Sequence, residues 1–195
     1  MGCCLIGFLE KAAIKVFGQR IFLKPLTSEF ISEDYIRWMQ DENILQFLTG
    51  RDKSYNVDEL ERYVAQMEKS PHDWLFGIFL KEGDKHIGNI KIGNANFLHR
   101  FGDIGLIIGN KDCWGKGYGT EAITLATEYA FNQVNLNKLL AGMIVDNVGS
   151  YKAFMKAGYR EAGRLKSHVL VKGQFVDAVL VEKCKDMQSS KRKDR

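Results

Sequence analysis

From Asp112 to Ala122 the chain reads DCWGKGYGTEA, with glycines at 115, 117 and 119 separated by Lys116 and Tyr118. A helix-forming stretch follows at once, with Ala122, Leu125, Ala126 and Tyr129 on one face. Residues of these types in this order can hold an anion. Glycine lets the backbone come close to a ligand. The first-turn N–H groups of a helix are unpaired and carry the positive end of its dipole. A diphosphate sits well on such an end, and Lys116 adds a formal charge beside it. Spacing excludes two familiar loops. A P-loop counted from Gly109 would need glycine where Trp114 stands, and Ser or Thr where Gly117 follows Lys116. A dinucleotide fingerprint fails because Gly115, Gly117 and Gly119 are spaced one residue short. A purely structural glycine turn stays open on these residues alone.

The loop needs a strand before it and a helix–strand unit behind it. DIGLIIG (Asp103 to Gly109) reads as the strand before, a helix is expected from Thr120, and KLLAGMI (Lys138 to Ile144) as the next strand. A strand–loop–helix–strand unit of this kind makes a parallel pair. Upstream, Arg20 to Leu26 is a strand whose Pro25 marks an edge or an end. Ser32 caps a helix carrying Tyr35, Trp38 and Met39 on one face. Asn56 and Glu59 form a capping box before Leu60, Tyr63, Val64 and Met67. Trp74 to Leu80 and a second strand from His86 make a hairpin across KEGDK. A short helix spans Asn147 to Ala157, and two strands, Tyr159 to Val171 and Gln174 to Val181, close the fold. The class is α+β, with helices on both faces of a mixed sheet.

A second block accompanies the loop: Asn147, Ser150, Lys156, Gly158 and Tyr159 stand in NVGSYKAFMKAGY. Together, WGKGYGTEA and this block resemble the two coenzyme motifs of the GCN5-related N-acetyltransferase (GNAT) superfamily, in its RimJ/RimL-like branch. Trp114 stands where the superfamily has Arg or Gln, as this branch commonly shows. The likeness runs more loosely from about Arg20 to Glu182. It implies a largely antiparallel sheet of about seven strands. It also implies an acetyl-CoA-dependent transfer to a primary amine, by direct attack in one cleft. The acceptor is a protein or peptide N-terminus or an amino sugar; the alternative is an acetyl-CoA binder without turnover.

Residue by residue, the resemblance implies that Ile107, Ile108 and Gly109 offer strand backbone to the pantetheine arm. Trp114, Gly115, Lys116, Gly117, Tyr118, Gly119 and Thr120 wrap the diphosphate, and Asn147 and Ser150 contact the coenzyme from the other side. For the leaving thiolate, many relatives use a tyrosine seven residues after the asparagine, where this chain has Phe154; Ser150 occupies the alternative serine position. The glutamate base of RimL-like relatives corresponds to Val169, leaving His168, Asp103, Glu121 or a water relay. Trp38, Phe47 and Arg51 fall in the segment that covers the acceptor in related folds, with Trp38 and Arg51 as candidate substrate contacts. Cys113 has no histidine partner at a recognisable spacing, which weighs against a cysteine nucleophile.

The bulk properties fit this reading. With 195 residues, 45% apolar and 27% charged, the chain suits one domain. It divides into an N-terminal amphipathic extension (1–19), an acetyltransferase domain (20–183) and a basic tail (184–195). The net charge of +4 equals the excess of six basic over two acidic residues from Lys183 onward, so the rest is neutral and nucleic acid is not an expected partner. Four cysteines without a C-x-x-C pair argue against zinc and for reduced thiols in the cytoplasm. No apolar run reaches the roughly 18 residues of a membrane span. The apolar face of Leu5, Phe8, Leu9, Ala12, Ala13 and Val16 suits docking on the domain or on a second subunit, which leaves a homodimer open.

Overall fold

A computed structural model describes residues 14–28, 31–48 and 55–185. Arg51, most of the N-terminal extension and the tail beyond Lys185 lie outside the described residues. The elements run β1 (Val16–Phe17), β2 (Ile21–Pro25), α1 (Glu33–Trp38), α2 (Glu42–Leu45), α3 (Val57–Lys69), β3 (Trp74–Leu80), β4 (His86–Asn96), β5 (Phe101–Ile108), α4 (Tyr118–Asn132), β6 (Lys138–Ile144), α5 (Val148–Lys156), β7 (Arg160–Val171) and β8 (Gln174–Cys184). The strands form one sheet in the order β1-β2-β3-β4-β5-β6-β8-β7. Among the described residues only β5 and β6 pair in parallel, so the expected α+β class and its parallel unit hold.

Among the described residues the sheet has eight strands rather than about seven. The added strand is Val16–Phe17, which pairs with Phe22 and Leu23 on the outer edge of β2. Two residues are too short for period-two alternation to show. Pro25 ends β2 beyond this pairing, where its missing N–H costs no bond on the β1 side. β5 begins at Phe101 because Phe101 and Gly102 pair with Lys138 and Leu139. α4 begins at Tyr118 rather than Thr120 because Gly117, in the left-handed region at φ 85°, closes the turn before it.

Two apolar layers hold the sheet. One packs Ile78, Ile90 and Leu139 against Ala122, Ala126 and Ala130 of α4 and Phe154 of α5. The other packs Leu75 and Ile107 against Tyr35, Trp38, Leu60 and Val64 from α1 and α3. Adjacent residues such as Leu75 and Phe76 serve opposite layers, as strand alternation requires. The Asn56 capping box forms in both directions: Asn56 Oδ1 accepts the Glu59 N–H at 2.8 Å, and Glu59 Oε2 accepts the Asn56 N–H at 3.1 Å. Asn56→Ala should therefore cost about 1 kcal/mol. In a chain of this size that lowers Tm by roughly 2–4 °C, checked by a melting scan. Among the described residues no helix is long and apolar enough to cross a membrane.

Candidate active site

The parallel pair comes apart. β5 and β6 are paired only over Phe101–Asp103 and Lys138–Leu140. Beyond that, Ile104 to Ile108 pair with β4 alone and Ala141 to Ile144 with β8 alone. The widening gap is a cleft of about 420 Å³, walled by Leu106 and Ile107 on one side and Met143, Asn147, Ser150 and Phe154 on the other. Tyr35, Met39, Tyr55 and Tyr63 close it from the α1–α3 layer.

Register decides which backbone groups face the gap. The Gly109 N–H donates to the Ile87 carbonyl at 2.9 Å, and Ile107 lies opposite Asn89. Ladder alternation then turns Gly105, Ile107 and Gly109 toward β4, and Leu106 and Ile108 toward the cleft. The indole N–H of Trp114 meets the Ile108 carbonyl at 2.6 Å, as that direction requires. Gly109 is spent inside the fold in a second way, since a Cβ there would lie 1.9 Å from Trp38. Of the three residues expected to offer backbone, Ile108 faces the cleft with its main chain. Ile107 lines the cleft with its side chain, and Leu106 is the backbone position that motif matching passed over.

The glycine loop follows the end of β5 and is not among the residues that line the cleft. Gly119 lies against Leu106 and Ile108, where a Cβ would stand 3.4 and 3.7 Å from their side chains. Gly115 and Gly117 take positive φ of 72° and 85°. The first i to i−4 bond of α4 runs from the Glu121 N–H to the Gly117 carbonyl at 3.1 Å, so Tyr118, Gly119 and Thr120 have N–H groups with no helical acceptor. Among the described residues, side chains cap the other four α-helices: Ser32 on α1, Asp41 on α2, Asn56 on α3 and Asn147 on α5. No side chain caps α4. Its N-terminus is left open toward the loop.

Arg20, 96 residues away in sequence, braces the loop by donating to the Lys116 carbonyl at 2.9 Å. Its guanidinium lies 4.6 Å from the centre of the Tyr118 ring and 3.0 Å from Glu121. Glu121 also accepts the backbone N–H groups of Arg20 at 2.7 Å and Ile21 at 3.3 Å. Burial raises the Glu121 pKa, but these bonds outweigh it and hold the carboxyl below its ordinary value. A carboxylate so engaged is a brace and a poor base.

Across the cleft, Asn147 caps α5 by accepting the Ser150 N–H at 3.1 Å. The backbone cap is thus Asn147, and the Ser150 side chain is left lining the cleft. Phe154 is fully buried beneath it. The Tyr159 hydroxyl is hydrogen-bonded to Thr127 at 2.8 Å, and burial raises its pKa.

The remaining candidates separate cleanly. Asp103 lines the cleft and accepts from Asn94 Nδ2 at 2.8 Å. His168 is exposed on β7, where the pairing with β8 shifts between Leu165 and Val169, and is not brought to the cleft of its own chain. Trp38 is buried against Gly109 and edge-on to His86 at 5.0 Å, so it supports the cleft wall and does not line the cleft. Cys113 is buried, and burial pushes its thiol up, away from the thiolate a nucleophile needs. Among the described residues no group of three His, Cys, Asp or Glu could hold a metal ion.

One further polar group was not legible in the sequence. Asn89, on β4, is 3% exposed, lines the cleft, and has an Nδ2 without a hydrogen-bond partner, the one such buried side-chain atom among the described residues. Its Oδ1 lies 2.9 Å from His86 Nε2.

Comparison with known proteins follows the same lines. The model of the acetyltransferase (GNAT) domain matches residues 20–160. A probable N-acetyltransferase of Bacillus subtilis, YjcK, is 30% identical over 169 residues, covering 82% of this chain and 91% of the relative. Among solved structures, a spermidine N-acetyltransferase from Vibrio cholerae in complex with CoA and spermine superposes with a TM-score of 0.76. It is 21% identical, over 86% of this chain and 96% of that one. A ribosomal-protein-S5-alanine acetyltransferase from Vibrio fischeri superposes at 0.77 with 18% identity, over 89% and 97%. The chain belongs to the acetyltransferase (GNAT) family of acyl-transferring enzymes.

Proposed function

We propose that this protein moves an acetyl group from acetyl-CoA to a primary amine, with both held together in the cleft. The observation that carries this is the parting of β5 from β6 beside a helix N-terminus that no side chain caps. The residues present fit the coenzyme. Tyr118, Gly119 and Thr120, whose N–H groups have no helical acceptor, would hold its diphosphate, with the left-handed Gly115 and Gly117 shaping the loop. Lys116 adds charge, and Trp114 fastens the loop to β5.

Bound acetyl-CoA supplies an activated thioester. The chain's part is to hold the reacting groups in one place, which is a large share of such catalysis. A backbone N–H on the open edge of β5, that of Leu106 or of Ile108, would meet the carbonyl oxygen as it gains charge. Asn147 sets Ser150, whose hydroxyl serves the departing sulfur; a thiol of pKa near 8.5 asks little of an acid. Asp103 is the one carboxylate among the described lining residues, and it attracts the amine and takes its proton through water. Phe154 and Val169 stand where relatives carry an acid and a base, and they favour a second reading, an acetyl-CoA binder without turnover. The acceptor is a protein or peptide N-terminus or an amino sugar, and the cytoplasm is the expected compartment.

A melting experiment tests the coenzyme half of this reading. Acetyl-CoA at about 100 times its Kd should stabilise the fold by roughly 2.7 kcal/mol. S-acetylpantetheine, which lacks the diphosphate, should do far less at the same concentration. Equal shifts from both compounds would remove the role given to the loop, and no shift from either would sink the coenzyme reading.

A further inference from the structure

Asn89 is a polar group of the cleft with no part in coenzyme binding, and its Nδ2 has no partner among the described residues. In register it stands beside Gly77 and Ile107, so it projects from the sheet face that carries Ile107 into the α1–α3 layer. Its amide orientation is fixed by chemistry. His86 Nε2 lies 2.9 Å from the Gly88 carbonyl as well as from the Asn89 amide. A carbonyl only accepts, so Nε2 carries the hydrogen. The Asn89 atom facing it must therefore accept too, and that atom is Oδ1. The NH₂ is left as the outward donor.

The ring that aims it is itself held. Phe79 stacks on His86 at 4.8 Å, and Trp38 meets it edge-on at 5.0 Å. Burial pushes the His86 pKa down, which keeps the ring neutral with a single N–H. Trp38 thus acts on the cleft through His86 and Asn89.

A buried amide donor with no acceptor is costly, and native structures keep one chiefly where a ligand or water will meet it. The charges around it narrow the ligand. Lys91 is paired with Asp73 at 3.6 Å, and Asp103 is the single carboxylate among the described lining residues. A polyamine brings several ammonium groups and no oxygen. Among the described lining residues it would find one carboxylate, one lysine and a donor with nothing to donate to.

Resting on the acetyl-transfer reading above, we propose that Asn89 receives an amide carbonyl oxygen of the acceptor, held close to the amine. The cleft then selects carbonyl-bearing monoamines over polyamines. An N-terminal peptide bond and the acetamido group of an amino sugar present this same oxygen.

The test follows thiol release from acetyl-CoA by the full chain with four acceptors: an alanyl peptide amide, an acetamido-bearing amino-sugar nucleotide, a simple alkylamine and spermidine. Turnover should appear with one of the first two, which identifies the source of the carbonyl, and should exceed that with spermidine at least tenfold. Asn89→Ala should lower kcat/KM for that acceptor about tenfold and leave the alkylamine nearly unchanged. Asn89→Asp places an oxygen against the carbonyl and should cost more. Preference for spermidine, no release with either carbonyl-bearing acceptor, or an equal loss with every acceptor in Asn89→Ala would overturn the proposal. The acetyl-CoA melting shift, run on the same variants, keeps the readings apart. A retained shift with the wrong acceptor pattern rejects only the role of Asn89, whereas an absent shift in the wild type rejects the coenzyme reading beneath it.

Discussion

Gly119→Asp should leave the protein as stable as the parent and weaken acetyl-CoA at least a hundredfold, about 2.7 kcal/mol. Other glycines of this region have reasons within the fold. Gly117 needs its positive φ, and Gly109 has no room beside Trp38. Gly119 has neither reason: it is helical, and a Cβ there would make ordinary contacts of 3.4 Å with Leu106 and 3.7 Å with Ile108. Aspartate in the first turn also favours the helix dipole, so stability should stay within about 0.5 kcal/mol. What aspartate removes is the space and the sign of charge that a diphosphate needs at this N-terminus. Calorimetric titration with acetyl-CoA reads the affinity, and a melting scan reads the fold. An unchanged Kd would mean that the diphosphate lies elsewhere.

Glu121→Ala should produce the largest loss of stability. The Glu121 side chain is 15% exposed and holds the Arg20 and Ile21 N–H groups together with the Arg20 guanidinium. Truncation strands these donors and releases Arg20 from its place under the Lys116 carbonyl. A cost of about 2–3 kcal/mol follows from the unpaired groups, or roughly 5–10 °C in Tm. The pH dependence has a definite sign. The folded carboxyl lies below its ordinary value of 4.5, so the unfolded chain binds the proton first as pH falls. The stabilisation is complete above about 4.5 and is lost as pH drops through the lower folded value. Glu121→Ala should therefore show a shallower acid slope in this window than wild type, with other paired carboxylates such as Asp41, Asp177 and Glu182 still contributing. Parallel slopes would show that the brace contributes nothing through its charge.

What the sequence made legible depended on how local each cause was. The Asn56 box and the Ser32 cap act within three residues, and each was readable from spacing. β3 and β6 matched their expected limits because apolar runs between turns are local signals. Arg20 was not legible as a loop residue, since its partners Lys116 and Glu121 are about a hundred positions away. Leu106 was missed for another reason: which backbone groups face a gap depends on pairing parity with β4, and motif matching carries no parity. In the sequence Asn89 is one polar residue within the strand that begins at His86. Only packing shows that its amide is buried, aimed by His86 and unmatched. His168 gave the opposite error, a residue of suitable chemistry that the topology leaves on an outer strand.

The central claim is that the split between β5 and β6 is a site of acetyl transfer to an amine. The measurement that meets it most directly is quantitative mass spectrometry of reactions containing the protein, acetyl-CoA and a primary-amine acceptor, with thiol release followed in the same samples. On this claim the acceptor should become heavier by one acetyl group, mole for mole with free coenzyme thiol, and Gly119→Asp should suppress this at coenzyme concentrations near the wild-type Kd. Thiol without acetylated amine, or a melting shift with acetyl-CoA but no product from peptide or amino-sugar acceptors, would contradict it and leave the protein a binder of the coenzyme.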